Sequence, residues 1–169
     1  MQQKFVIITM QRSGSNMLVT MLDSHPEIKC FGELMRKTPG WMRKQGYRGA
    51  LRILDKVDPV YKKDSHRFAH PYEFVEAAYA IKPRAARHGF KIHIDQHREF
   101  LDRLIQDPEY RVIVLRRENV LAQYSSWKIS EVTGQGNAPK GTKVKTAQVE
   151  FSPRNFKSYL KRVNKDYEL

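Results

Sequence analysis

Two segments of the sequence combine arginine with small polar residues in an order that suits the binding of an anion. The first, at residues 12–16 (RSGSN), follows an apolar run, and the second, at residues 116–117 (RR), follows another. Small residues and a glycine allow backbone N–H groups to converge on a ligand, and an arginine beside them is a two-pronged charged donor. The two segments therefore predict sites for phosphate-like groups.

The same segments argue against a metal-dependent nucleoside triphosphatase. Residues 12–16 lack the Gly-Lys-[Ser/Thr] ending of the Walker A loop, and the second apolar run ends in arginines rather than in an aspartate that could hold Mg²⁺. His93 and His97 have the spacing of a zinc helix, but no glutamate follows His93 and no third ligand is evident. We therefore expect an anion that is bound without a metal.

The elements that position these segments are predicted from hydrophobic patterns. Residues 5–9 (FVIIT) and 110–115 (YRVIVL) are each typical of a strand buried on both faces. Further strands are expected at 28–31 and 88–94, and helices at 16–22, 71–81, 99–106, 119–130 and from about 151 onward. Strands that alternate with helices predict an α/β fold whose mainly parallel sheet has helices on both faces. Ligands of such sheets bind where the strands end, so the two arginine segments should lie together.

Apolar positions within two of these helices predict which sides face the core. The helix at 16–22 has one apolar stripe, formed by Met17, Leu18, Met21 and Leu22. The helix at 71–81 should turn a similar set inward, formed by Phe74, Val75, Ala78 and Tyr79.

Length and composition limit the class of protein. A chain of 169 residues, 40% of them hydrophobic, is the size of one domain with a real core. Its 31 Lys and Arg against 18 Asp and Glu give a net charge of +13, which favours anionic partners such as nucleic acid, acidic lipid or a phosphorylated small molecule. No apolar run reaches membrane-spanning length, no basic-then-apolar leader precedes Phe5, and Cys30 is the single cysteine. We therefore expect a cytoplasmic protein.

A basic segment at residues 36–67 carries +7 of the total charge, with ten Lys and Arg against three Asp. Glycines and a proline divide it into short helices and loops. It is expected to be a solvated face or a cap over the site, and it would suit an anionic ligand or peripheral contact with an acidic membrane surface.

Three segments together resemble the sulfotransferases. Residues 5–22 (FVIITMQRSGSNMLVTML) are similar to their 5′-phosphosulfate loop, and residues 116–127 (RRENVLAQYSSW) are similar to their 3′-phosphate motif. Residues 25–33 (HPEIKCFGE) resemble the segment after the first helix in the bacterial carbohydrate and glycolipid enzymes. The resemblance runs from about residue 5 to 160. It implies one domain over 1–169 with a P-loop-like three-layer fold, with 36–67 as a basic cap or insertion and a C-terminal part of the family fold absent.

This resemblance implies a reaction and a donor site. The sulfuryl group of 3′-phosphoadenylyl sulfate (PAPS) would pass in line, without a metal, to a hydroxyl of a carbohydrate or glycolipid. The residues that would bind the donor are Arg12, Ser13, Gly14, Ser15, Asn16, Arg117 and Ser125. Arg12 would also stabilise the negative charge that builds up during transfer. Arg116 and Ser126 are the register-shifted alternatives at the 3′-phosphate.

An acceptor hydroxyl needs a base to take its proton. Glu33 is the leading candidate, because Gly32-Glu33 matches the carboxylate of the bacterial carbohydrate enzymes, and His93 and His97 are its rivals. Lys91 has two interpretations: it either lines the site, as the resemblance implies, or is an ordinary solvated lysine.

A second function remains open, namely a basic nucleic-acid- or nucleotide-binding module without catalysis. Such a module would interleave Lys and Arg with exposed aromatic residues on one face. Here the basic residues are spread among loops, so no nucleic acid is expected. Trp41, Trp127 and the tyrosines are expected in the core or at its rim rather than as a sugar platform.

Overall fold

The protein is described by a computed structural model over residues 3–37, 50–138 and 141–169. The strands are β1 (Gln3–Thr9), β2 (Ile28–Glu33), β3 (Arg87–His93) and β4 (Tyr110–Leu115). The α-helices are α1 (Ser15–Asp23), α2 (Asp64–Ala69), α3 (Pro71–Ala80), α4 (Arg98–Gln106), α5 (Val120–Thr133) and α6 (Pro153–Asp166). Two 3₁₀ helices lie at Ala50–Asp55 and Pro59–Lys62.

The strands of the described ranges form one parallel sheet in the order β2-β3-β1-β4. β1 is central, and its residues 5–9 are all buried, as expected for a β-branched run paired on both sides. Because all four strands are parallel, their carboxyl ends lie along one edge, with Thr9 level with both His93 and Leu115. The predicted α/β fold with a parallel sheet is confirmed.

Each face of the sheet has its own core. Phe5, Ile7 and Cys30 meet α1 on one face, and the larger core on the other face includes Phe90 and Phe100. The inward set predicted for α3 is confirmed, because Phe74, Val75, Ala78 and Tyr79 are all buried. The prediction for α1 is wrong at two positions: the helix packs through Leu18, Val19 and Leu22, and this leaves Met17 and Met21 mostly exposed.

β4 differs from the prediction of a strand buried on both faces. Val112, Ile113 and Val114 are 37%, 38% and 51% exposed. β4 pairs with β1 on one side, and within the described residues no strand pairs with its other side. β4 lies at the edge of the sheet but has the apolar composition of a central strand. For this reason the sequence pattern predicted burial on both faces.

The basic segment is only partly a solvated face. Residues 38–49, Trp41 among them, lie outside the described residues. Arg67 is fully buried, and its guanidinium donates to the carbonyl oxygens of Tyr61 (2.9 Å) and Arg36 (2.6 Å) and to Asp64 Oδ1 (2.8 Å). The expectation of a solvated face is therefore wrong for Arg67, which stabilises the local structure, and the role of the segment as a cap stays a prediction.

Candidate active site

The loop between β1 and α1 exposes backbone N–H groups at the start of the helix. Arg12 has φ 65° and Gly14 has φ 89°, so the chain visits the left-handed region twice within three residues. α1 begins after Gly14 without a side-chain cap and without an acidic residue in its first turn. The first amides of the helix therefore have no partner from a cap, and the helix dipole adds partial positive charge there. This geometry suits a phosphate-like anion, and residues 12–16 are called the anion cradle below.

Hydrogen bonds attach the anion cradle to the strand ends. Ser13 Oγ lies 2.5 Å from Thr9 Oγ1, and Thr9 Oγ1 donates to the carbonyl oxygen of Leu115 at 2.9 Å. The side-chain amide of Gln123 on α5 donates to the carbonyl oxygen of Gln11 at 2.7 Å. The position of the loop is thus set by β1, β4 and α5 together.

Tyr167, just after α6, also holds these strand ends, and no sequence signal pointed to it. Its hydroxyl accepts from the backbone N–H of Met10 at 3.1 Å and donates to the carbonyl oxygen of Leu115 at 2.8 Å. This role depends on how α6 packs against α5, which the local sequence does not encode.

Replacing Gly14 by alanine should lower the free energy of unfolding by about 1–2 kcal/mol, because an L-residue pays that cost in the left-handed region. An added Cβ would meet open space, so steric overlap should add nothing. Urea unfolding of the variant measures the loss. Gly136→Ala is the matched control, because Gly136 also has open space around it but no positive φ. Equal losses in both variants would contradict a conformational role for Gly14.

The arginine at the start of the anion cradle is held by the helix that follows β4. Arg12 donates to Ser126 Oγ through Nε (2.9 Å) and Nη2 (2.8 Å), and its Nη1 contacts the carbonyl oxygen of Gly136. Ser126 is therefore engaged by Arg12. The side chain of Ser125 has no hydrogen-bond partner in the described part of the chain.

The two arginines after β4 diverge. Arg117 Nη1 donates to the carbonyl oxygen of Arg12 at 3.1 Å, so this guanidinium lies at the anion cradle. Arg116 instead turns toward α6, where Nη2 donates to Asn164 Oδ1 at 2.8 Å and the guanidinium lies 5.4 Å from the centre of the Tyr167 ring. Of the two registers left open by the sequence, the structure brings Arg117 to the cradle.

Lys91 joins the anion cradle to the acidic side of the site. Its Nζ lies 2.6 Å from Asn16 Oδ1, 3.4 Å from Ser15 Oγ and 3.0 Å from Glu33 Oε1. The side chain is 2% exposed, so the interpretation as a solvated lysine is wrong. The buried ammonium of Lys91 thus links Glu33 to Asn16, which lies 75 positions before Lys91 in the chain.

A β-bulge places Glu33 beside this lysine. Phe31 pairs with Phe90, yet Glu33 pairs with Lys91, so Gly32 is an extra residue on β2. A bulge shifts the following side chain to the other face of the strand. Regular pairing would have put Glu33 opposite Ile92, on the face away from Lys91.

Both oxygens of the Glu33 carboxylate are engaged. Oε1 lies 3.0 Å from Lys91 Nζ and 3.6 Å from His93 Nε2, and Oε2 accepts from Gln96 Nε2 at 3.0 Å. Gln96 is fixed in turn, because its Oε1 accepts from the backbone N–H of His93 at 3.1 Å. Gln96 was not among the residues identified from the sequence, where nothing distinguishes it from any polar turn residue.

The surroundings of Glu33 and His93 favour an ionised carboxylate on Glu33 and a neutral imidazole on His93. Burial pushes the pKa of Glu33 upward, but the attraction of His93 and Lys91 outweighs it and leaves that pKa below its ordinary value. Burial lowers the pKa of His93, and its effect exceeds the opposite effect of the Glu33 charge. At neutral pH the imidazole is therefore free to accept a proton.

His97, the third candidate base, has structural partners instead. Its Nε2 is 2.9 Å from the carbonyl oxygen of Phe68, its Nδ1 accepts from the N–H of Phe100 at the start of α4, and its ring stacks on Phe68. The structure does not bring it to Glu33 or Lys91.

Two kinds of feature are absent from residues 3–37, 50–138 and 141–169. Those residues contain no group of three or more His, Cys, Asp or Glu side chains placed to hold a metal ion. None of their helices is both long enough and apolar enough to cross a membrane.

Comparison with known proteins identifies the family. The family model described as "Sulfotransferase family" matches residues 4–165, which include the anion cradle, both arginines after β4 and the Lys91, Glu33 and His93 group. No curated protein sequence matches the chain. The family match confirms the resemblance to sulfotransferases, although it does not select the bacterial carbohydrate type. A match over nearly the whole chain shows that this protein belongs to the sulfotransferase family and is a transferase of sulfur-containing groups.

Proposed function

We propose that this sulfotransferase moves the sulfuryl group of PAPS to a hydroxyl of a carbohydrate or glycolipid. One observation supports the proposal: the anion cradle, which includes Arg12, is linked through the buried Lys91 to the Glu33 and His93 pair. The acceptor class is supported by the similarity of residues 25–33 to the bacterial carbohydrate enzymes.

The residues present fit the donor. Backbone N–H groups of residues 13–16 would bind the 5′-phosphate, with Arg12 beside them. Arg117, which already lies at the cradle, and Ser125, whose hydroxyl has no partner in the described ranges, would bind the 3′-phosphate. Three cationic side chains, Arg12, Lys91 and Arg117, supply positive charge at the site, and the proposal needs no metal.

His93 serves as the base in this proposal. Lys91 and Gln96 engage both oxygens of Glu33 and its pKa is depressed, so the carboxylate is a weak base. The neutral imidazole takes the acceptor's proton as the acceptor oxygen bonds to sulfur and the sulfur–oxygen bond to the 5′-phosphate breaks. Glu33 then stabilises the imidazolium, and Lys91 stabilises the charge left on the phosphate.

Replacing Arg117 by alanine should weaken the binding of adenosine 3′,5′-bisphosphate by about 1.5–3 kcal/mol, the scale of a charge-assisted hydrogen bond. The affinity for adenosine 5′-phosphosulfate, which lacks the 3′-phosphate, should hardly change. Isothermal titration calorimetry measures both affinities. Arg116→Ala is the matched control and should change neither affinity much, because Arg116 bonds to α6. Equal losses for the two nucleotides in Arg117→Ala would place this arginine elsewhere.

The other parts of the proposal concern partners and location. Membership of an enzyme family favours the transferase over a nucleic-acid-binding module, and a competition between adenosine 3′,5′-bisphosphate and a single-stranded oligonucleotide tests that choice. The charge of +13 supports peripheral contact with an acidic membrane surface, and the single cysteine supports a cytoplasmic location.

A further inference from the structure

A cavity of about 240 Å³ opens between the ends of β1 and β3 and the helices α5 and α6. Its walls come from the residues that directly follow β1 and β3 and from residues of α5 and α6. Gln11, next to Arg12 in the chain, and Ile94, next to His93, both line it. The cavity therefore lies at the carboxyl ends of β1 and β3.

Two aromatic rings form one wall of the cavity. Trp127 on α5 and Tyr159 on α6 stack with their ring centres 5.5 Å apart and an interplanar angle of 17°. The guanidinium of Arg162 lies 5.6 Å from the centre of the Trp127 ring and 5.2 Å from that of Tyr159. Aromatic faces carry partial negative charge, so such a wall attracts C–H groups as well as cations.

Three charged residues also line the cavity, and two of them are acidic. Asp95 and Asp166 are both lining residues, and neither carboxylate has a hydrogen bond or ion pair within the described residues. Arg162 is the cationic member of the lining. Two carboxylates in a chain of net charge +13 disfavour an anionic ligand at this point. Their oxygens can accept from several sugar hydroxyls, which a purely aromatic alcohol cannot supply in number.

We infer that this cavity binds an uncharged sugar unit of the acceptor. The C–H groups of the sugar ring pack against the Trp127 and Tyr159 pair, its hydroxyls donate to Asp95 and Asp166, and Arg162 donates to a ring or hydroxyl oxygen. Trp127 thus has the role of a sugar platform, which was not expected from the sequence. The inference rests on the proposed function and adds to it the place, the charge and the recognition chemistry of the acceptor.

Direct binding tests the inference without turnover. The chain has two tryptophans, Trp41 and Trp127, so the variant Trp41→Phe reports on Trp127 alone. This variant is titrated with cellobiose and maltose, with and without saturating adenosine 3′,5′-bisphosphate, while the indole emission is recorded. We expect a saturable change, and Asp95→Asn and Asp166→Asn should each weaken it about tenfold, as for a hydrogen bond to a charged group. Glu150→Gln, which also removes one negative charge but does not line the cavity, should stay within about twofold.

The possible outcomes distinguish a failure of the inference about the cavity from a failure of the proposed function. No saturable change with either disaccharide overturns the inference, and so does an equal effect of Glu150→Gln. Saturation by 4-nitrophenol in place of the sugars also overturns it, because the occupant is then an aromatic alcohol. Failure of the unaltered chain to bind adenosine 3′,5′-bisphosphate contradicts the proposed function instead, and the titration without nucleotide still tests the cavity.

Discussion

Replacement of His93 by asparagine is expected to lower the rate of sulfate transfer by about 100- to 10,000-fold, the usual contribution of a general base. Asparagine keeps a polar side chain of similar size at the end of β3, but it cannot accept the proton of a hydroxyl at neutral pH. The affinity for adenosine 3′,5′-bisphosphate should hardly change, because the base acts on the acceptor. Transfer of labelled sulfate and calorimetric nucleotide affinity, measured on the same preparation, check both parts. His97→Asn is the matched control for turnover.

The dependence of the transfer rate on pH tests whether His93 is the base. Transfer needs neutral His93, so the rate should fall as the pH is lowered through the pKa of His93, which lies below its ordinary value of 6.5. The charge of Glu33 raises that pKa. Glu33→Gln should therefore move the acid limb of the pH–rate profile, where the rate falls, to lower pH. If instead the acid limb lies below pH 4.5 and Glu33→Gln loses as much activity as His93→Asn, the base is Glu33.

Replacement of Lys91 by methionine is expected to affect both activity and stability. Turnover should fall by about 100- to 1000-fold, because one preorganised donor beside the transferred group is lost. The free energy of unfolding should fall by about 3–5 kcal/mol, because Glu33, only 14% exposed, keeps its charge without its ammonium partner. Denaturant unfolding and sulfate transfer under conditions where the variant is folded measure the two losses.

A double variant separates these two losses. Lys91→Met combined with Glu33→Gln removes the unpaired charge, so it should regain most of the stability and none of the turnover. Lys4→Met is the matched control, because Lys4 also lies on a strand of this sheet and pairs with Glu76 and Glu109, but near the opposite end of β1. If the double variant recovers turnover, Lys91 acts only by neutralising Glu33.

The contacts of Lys91 connect the anion cradle with the base that we propose. The ammonium contacts Asn16 of the anion cradle and also Glu33, and Glu33 in turn lies beside His93. Any ligand phosphate in the anion cradle therefore lies near a cation that also contacts Glu33. Positioning of this kind is the main contribution that a protein makes to in-line transfer.

The sequence by itself determined the fold class and the anion cradle. The β-branched run at 5–9, the glycine at 14 and the helix that follows are contiguous, so local pattern alone could predict a strand, a loop and a helix with free amides. The second arginine segment was found in the same way, behind an apolar strand. Family resemblance to the sulfotransferases came from these same local motifs.

The tertiary structure decided how residues far apart in the sequence meet. Lys91 looks like an ordinary lysine on a strand until the β1–β3 register and the bulge at Gly32 bring it between Asn16 and Glu33. The choice of Arg117 over Arg116 depends on the packing of α6, and the exposure of β4 depends on its place at the edge of the sheet. Local sequence cannot encode these results, because side-chain contacts between distant segments depend on strand order, register and helix packing, which only the folded chain establishes.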